Sequence, residues 1–137
     1  MSDIEGGCAC GAVRFKITAP LAAVAACHCR ACQYATGGAP NYVGLAMRPS
    51  FELTKGEPKV HTSKADSGND VSRAFCAECG TPLYTITHDG APFYPVKLGA
   101  LDDPAGYMPN LHLYMEDAQP WHLTHEGLPQ FAQMPPR

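Results

Sequence analysis

Charge is scarce in this sequence. Asp, Glu, Lys and Arg make up 17% of its 137 residues and the formal net charge is −3, whereas an ordinary domain carries about a quarter charged residues. No basic stripe runs through the chain, so no nucleic-acid partner gripped through its phosphates is expected. Long hydrophobic runs are missing too. The longest purely apolar stretch is residues 21–27, far short of the roughly 20 residues of a membrane span. The opening Met-Ser-Asp-Ile-Glu-Gly-Gly-Cys has neither the basic nor the apolar segment of a secretion signal. A soluble, cytoplasmic protein without a membrane partner is expected. There is no phosphate loop, nucleophilic-serine elbow or dinucleotide fingerprint.

Long helical patterns are absent as well. The 13 glycines and 13 prolines amount to about a fifth of the chain, against about 12% in average usage, and such punctuation favours short strands joined by turns. Residues 12–18 alternate, with Val13, Phe15 and Ile17 on one side and Arg14, Lys16 and Thr18 on the other, the pattern of a half-buried strand. Similar runs recur at 41–47, 51–54, 59–62, 71–75, 83–87, 93–98, 110–115 and 121–123. Asp89-Gly90 between two of them signals a hairpin. Only residues 30–36 read as helical. The expectation is an all-β class (mainly β, small α content) of short antiparallel strands, in one domain over residues 1–137 with no repeat or linker.

What is abundant is cysteine. Seven of them cannot all pair within one chain, and a reducing compartment disfavours disulfides. They fall into two sets. Cys8-Ala9-Cys10-Gly11 and Cys76-Ala77-Glu78-Cys79-Gly80 are two clips that suit one tetrahedral zinc, each offering two thiolates. Each clip adjoins an expected strand, so the ion would tie two ends of the sheet together. Four thiolates close the coordination sphere, which argues for a structural role. A redox dithiol at Cys76 and Cys79 is the alternative, but such motifs open a helix, and Gly80-Thr81-Pro82 blocks one here.

The second set, Cys27-His28-Cys29-Arg30-Ala31-Cys32, has three thiols and no fourth cysteine left. Three protein ligands and a vacancy are the arrangement of a catalytic zinc. Completion of the sphere by His28 or another histidine, a metal-free thiol site, or ligands shared with the first zinc are the other readings. Arg30 is placed to offset the negative charge or to hold an anionic substrate. His112 and Tyr114 share one side of a strand and are candidates for a pocket. Trp121 is expected in the core unless it lines the second cysteine cluster. His122 and His125 form a loose pair that is discounted as a metal site, and Asp102 and Asp103 are expected to form a turn.

The order Cys8-x-Cys10-Gly11, Cys27-His28-Cys29-x-x-Cys32, Phe75-Cys76-x-x-Cys79-Gly80-Thr81-Pro82-Leu83 resembles the glutathione-dependent formaldehyde-activating enzyme (CENP-V/GFA) family. Leu101-Asp102-Asp103-Pro104, His112-Leu113-Tyr114, Pro120-Trp121 and Gly127-Leu128-Pro129-Gln130-Phe131 fit as well, so the resemblance runs from about Gly6 to Phe131. It implies a β-tent, small antiparallel sheets arranged around zinc. It implies two zincs per chain: a structural one held by Cys8, Cys10, Cys76 and Cys79, and a catalytic one held by Cys27, Cys29 and Cys32, whose open three-thiolate sphere would make it the more labile. The implied activity is the reversible joining of formaldehyde to glutathione, classed as a carbon–sulfur lyase. His112 or Tyr114 is the candidate proton donor and Arg30 a candidate glutathione contact. Gln33 stands where many relatives carry a basic residue. A zinc-stabilised binding module without chemistry, or a related enzyme for another small thiol or carbonyl substrate, are the alternatives.

Overall fold

Two sheets share the chain unequally in the computed structural model, which describes residues 2–135. The smaller contains β1 (Ile4–Gly7), β2 (Arg14–Ile17) and β5 (Phe51–Lys55), in the order β1-β2-β5 and antiparallel throughout. The larger contains β3 (Val24–Cys27), β4 (Asn41–Met47), β6 (Lys59–Lys64), β7 (Asp70–Phe75), β8 (Pro82–Thr87), β9 (Phe93–Lys97) and β10 (Leu111–Leu113). Its order is β10-β3-β4-β9-β8-β7-β6. The single helix α1 (Arg30–Thr36) follows β3. Among the described residues no helix is long and apolar enough to cross a membrane. The class is all-β, as the alternation predicts.

Alternation explains how the sheets face each other. In β2, Phe15 and Ile17 are buried while Arg14 and Lys16 are half-exposed. Phe15 and Ile17 join Ala46, Leu83, Tyr84 and Val96 of the larger sheet in the main core, and Cys8 and Cys76 belong to the same cluster. Each large apolar side chain buried there contributes about 1.5–3 kcal/mol. A second, smaller core of Ala25, Val43 and Leu113, packed by Cys27, Tyr114 and Phe131, lies at the other end of the larger sheet.

Besides β1 and β3, which the alternation does not signal, three features depart from the sequence reading. β10 pairs with β3 in parallel, so Leu113 lies opposite Cys27. Residues 121–123 form no strand, and Trp121 is 64% exposed rather than in the core. Its indole donates to the Gly38 carbonyl (3.2 Å) from the surface. Asp102 does not merely turn the chain: its carboxylate pairs with the Arg14 guanidinium across to β2. Asp89-Gly90 does make the β8–β9 turn, with Gly90 at φ 84°.

Candidate functional site

The four cysteines of the two clips converge from different sheets. Cys8 and Cys10 follow β1 of the small sheet, and Cys76 and Cys79 join β7 to β8 of the large one. The expected link is therefore between two sheets rather than two ends of one sheet. The clips are built alike: Cys8 N–H donates to the Val13 carbonyl (3.1 Å) and Cys76 N–H to the Thr81 carbonyl (3.0 Å). Gly11 and Gly80 close the turns at φ 80° and 78°, a left-handed backbone that glycine adopts without strain. All four sulfurs lie within 4.8 Å of one another. Cys8 and Cys10 are 3.7 Å apart and Cys10 and Cys76 3.8 Å. Those separations exceed the roughly 2.05 Å of a disulfide. They match the edge, about 3.8 Å, of a tetrahedron whose zinc–sulfur bonds are about 2.3 Å. Thr81 bridges the clips. Its hydroxyl oxygen accepts from Ala9 N–H (3.1 Å), which leaves its own proton for the Cys79 sulfur 3.1 Å away. That hydroxyl and the Thr81 backbone hold the Cys79 thiol down at about 5.

The second cluster sits where four neighbouring strands end. β10 and β3 run side by side to Leu113 and Cys27, Cys27 faces Asn41 at the start of β4, and Lys97 closes the adjacent β9. The chain then enters α1, where Cys29 is the N-cap and its sulfur accepts from Cys32 N–H (3.3 Å). The sulfurs of Cys27, Cys29 and Cys32 lie within 4.8 Å of one another, and no fourth such group joins them among the described residues. Cys27 and Cys29 are half-exposed and Cys32 is buried. Three thiols this close cannot all ionise by themselves. Hydrogen bonds from Cys27 and Cys29, helped by Asn41 and Lys97, bring Cys32 down to about 3. Cys27 goes up instead, because it shares its proton with Cys29 and Cys32 and its thiol is desolvated. A divalent cation among the sulfurs removes this conflict, so the donor set fits a three-thiolate zinc with one open position.

Asn41 links that cluster to a cation. Its amide donates to the Cys32 sulfur (3.5 Å), and its carbonyl oxygen accepts from Lys97 Nζ (2.5 Å). Burial pushes the Lys97 ammonium down. A cavity of about 300 Å³ opens beside the pair, lined by Thr36, Tyr42 and Thr81 among others. Neither Asn41 nor this cavity is singled out by the sequence. Arg30 is exposed, its guanidinium bonded to the Gln33 side chain and resting 4.9 Å from the Tyr34 ring.

The aromatic and histidine candidates separate sharply. His112 is fully buried and both its ring nitrogens are engaged, one by His28 (3.0 Å) and one by the His125 backbone N–H (3.0 Å). Tyr114, by contrast, is half-buried. Burial and the charges of Asp66, Cys27 and Cys29 push its phenol up, so it stays protonated at neutral pH. It is also the one non-glycine residue at positive φ among those described (55°). A bulky residue held in that region is strained, and such strain concentrates at functional sites. His28 points away from the sulfurs toward His122 (2.9 Å) and His112. It is therefore not a fourth ligand in this arrangement.

A family profile described as glutathione-dependent formaldehyde-activating enzyme matches residues 3–117. A Halomonas elongata protein named provisionally for that activity is 25% identical over 123 residues, covering 86% of this chain and 78% of its own. A Schizosaccharomyces pombe protein described as an uncharacterized lyase is 27% identical over 90 residues, covering 66% of this chain and 62% of its own. A solved Rhodobacter sphaeroides structure shares the fold with a TM-score of 0.59 at 20% identity, covering 77% of this chain and 91% of its own.

Proposed function

Because the chain belongs to the glutathione-dependent formaldehyde-activating enzyme family, we propose that it joins formaldehyde reversibly to the thiol of glutathione, as a carbon–sulfur lyase. The observation that carries this reading is the contrast between the two clusters. Four sulfurs surround the first site completely, while only three, those of half-exposed Cys27 and Cys29 and buried Cys32, define the second. A zinc ion held by Cys27, Cys29 and Cys32 would lower the pKa of an incoming thiol so that thiolate forms near neutral pH. Asn41 and Lys97 steady the Cys32 sulfur from behind. The Lys97 ammonium and the cavity beside it suit the anionic part of glutathione, with Arg30 a further cation at the start of α1.

The thiolate sulfur adds to the formaldehyde carbon, a carbon–sulfur bond forms, and the carbonyl π pair moves to oxygen. Tyr114 gives its phenolic proton to that alkoxide and recovers one from solvent. His112, with both nitrogens engaged, leaves this role to Tyr114. Thiols and formaldehyde already combine in water, so positioning and one proton transfer are the help required.

Native mass spectrometry of the reduced, chelator-free protein tests the site first. Two zincs are expected in the wild type and one in Cys29→Ser, with exchange between formaldehyde and its glutathione adduct, followed by NMR, accelerated only by the former. Two zincs without acceleration would shift the reading to another small thiol or carbonyl substrate. One zinc in both proteins would leave the non-catalytic binding module. In Tyr114→Phe the zinc count should hold while turnover drops by about 10²-fold, the usual scale for a lost general acid.

A further inference from the structure

Behind the second cluster lies a row of imidazoles that the proposed reaction does not use. His28, between the two sulfur-bearing residues Cys27 and Cys29, is fully buried, as is His112. The His28 ring stands 5.2 Å from His112 and 4.9 Å from His122, centroid to centroid. Its Nε2 lies 3.0 Å from His112 Nδ1, and its Nδ1 lies 2.9 Å from His122 Nδ1. A neutral imidazole has one N–H and one lone pair, so each such contact needs opposite roles on its two sides.

The backbone fixes those roles from both ends. At one end the His125 N–H donates to His112 Nε2 (3.0 Å). His112 must then carry its proton on Nδ1 and donate to His28 Nε2. At the other end His122 Nε2 donates to the Gly38 carbonyl (2.8 Å), while its Nδ1 accepts from the Gln119 N–H (3.2 Å). The lone pair of His122 Nδ1 is therefore shared between the Gln119 N–H and a proton required on His28 Nδ1. The two ends demand the same His28 tautomer, with Nδ1 protonated and Nε2 accepting. A second proton on His28 or His112 would set two N–H groups against each other or against the His125 amide.

We infer that His28, His112 and His122 form a neutral hydrogen-bond chain with one proton order, and that this chain positions the Cys27-His28-Cys29 turn for metal. The parallel pairing of β10 with β3 makes the contact possible, since it sets His112 beside Ala26 and lets the His28 N–H donate to the Leu113 carbonyl (2.9 Å). The chain thereby ties the sulfur-bearing turn to residues 112–125, which approach the cluster from the far end of the sequence. These are positioning residues and touch no substrate. The inference rests on the reading of Cys27, Cys29 and Cys32 as a metal site, and its test separates the two.

Two-bond proton–nitrogen correlation NMR on the full zinc-loaded chain reads the tautomers directly. His28 and His112 should be Nδ1-protonated and His122 Nε2-protonated; His28 protonated on Nε2, or on both nitrogens near pH 7.5, overturns the chain. Zinc titration against a competing chelator then reads the positioning. His112→Phe and the half-exposed His122→Leu should each weaken the second zinc by about tenfold or more, the scale for losing a group that orients metal-bearing residues. The first zinc should stay unchanged in both. His112→Asn keeps a donor at the Nδ1 position and should recover most of the affinity. Unchanged second-site affinity in folded His122→Leu removes the positioning role. The stated tautomers with no second zinc in the wild type would instead remove the metal reading, and the positioning role with it.

Discussion

Gln33 shows how much of the second cluster's geometry depends on a single uncharged side chain. It is 2% exposed, and its amide donates to the carbonyls of His28 (2.8 Å) and Asp117 (2.9 Å). Its oxygen accepts from Gln119 (3.1 Å) and from the Arg30 guanidinium. A basic side chain at this position can donate but cannot accept, so the Arg30–Gln119 arrangement requires the amide. Gln33→Leu should cost about 3 kcal/mol, because buried carbonyls left without donors cost about 1–3 kcal/mol each. Urea unfolding at neutral pH measures it, and a loss below about 1 kcal/mol would show that the site relaxes around the change. The family resemblance marks Gln33 only as a departure from a basic residue, and nothing local shows that its amide reaches positions 117 and 119. Nothing local marks Asn41 beside Cys32 either. The cysteines were legible because ligand spacing is local, whereas their supporting groups depend on which strands become neighbours.

The turn after β9 illustrates what the elements add. Its 3-10 segment Leu98–Ala100 leads to Leu101, which bridges to Gly6, and Asp102 N–H donates to the Glu5 carbonyl (2.9 Å). The Arg14–Asp102 ion pair then holds this turn to β2. The guanidinium keeps the Asp102 carboxyl below its usual range. A carboxyl depressed in the folded state contributes stability above its unfolded value of about 3.9 and loses it as pH falls through the lower folded value. Both partners are largely solvated, so the pair is worth about 0.5–1 kcal/mol. Asp102→Asn should therefore lower the unfolding free energy by that amount at pH 7, with the gap to wild type closing below about pH 4. A gap that persists at pH 2.5 would assign the effect to packing. Elements with alternation or strong turn residues were readable: β2, β4 and the Asp89-Gly90 hairpin arise from local pattern. β3 was not, because Val24, Ala25 and Ala26 are all buried between β10 and β4, and a strand covered on both faces shows no alternation. Trp121 misled for the opposite reason, its apolar bulk lying on the surface with only the indole N–H tied down.

On the scale of the whole molecule, the two clusters draw on different parts of the fold. Cys8, Cys10, Cys76 and Cys79 come from two sheets, which also meet through the Phe15 and Ile17 core and through the turn carrying Leu101 and Asp102. The three-cysteine cluster lies beside the smaller core at the end of one sheet. A metal that binds only the folded chain stabilises it by about 3–4 kcal/mol when free metal exceeds its dissociation constant by 10²–10³-fold. For a chain of this size that corresponds to roughly 10–15 °C in Tm. An open three-thiolate site gives up its ion sooner than a closed four-thiolate one, so a chelator concentration exists that strips the second site alone. In that buffer wild type and Cys29→Ser should melt within about 3 °C of each other, both holding one zinc, while Cys79→Ser should melt roughly 10 °C lower. Cys79 is exposed and packs little, so the drop would report the lost joint between the sheets rather than a hole in the core. If Cys79→Ser melted with the wild type, the Phe15–Ile17 core and the Leu101 and Asp102 contacts with the small sheet would suffice to hold the sheets, and the first cluster would have no structural role.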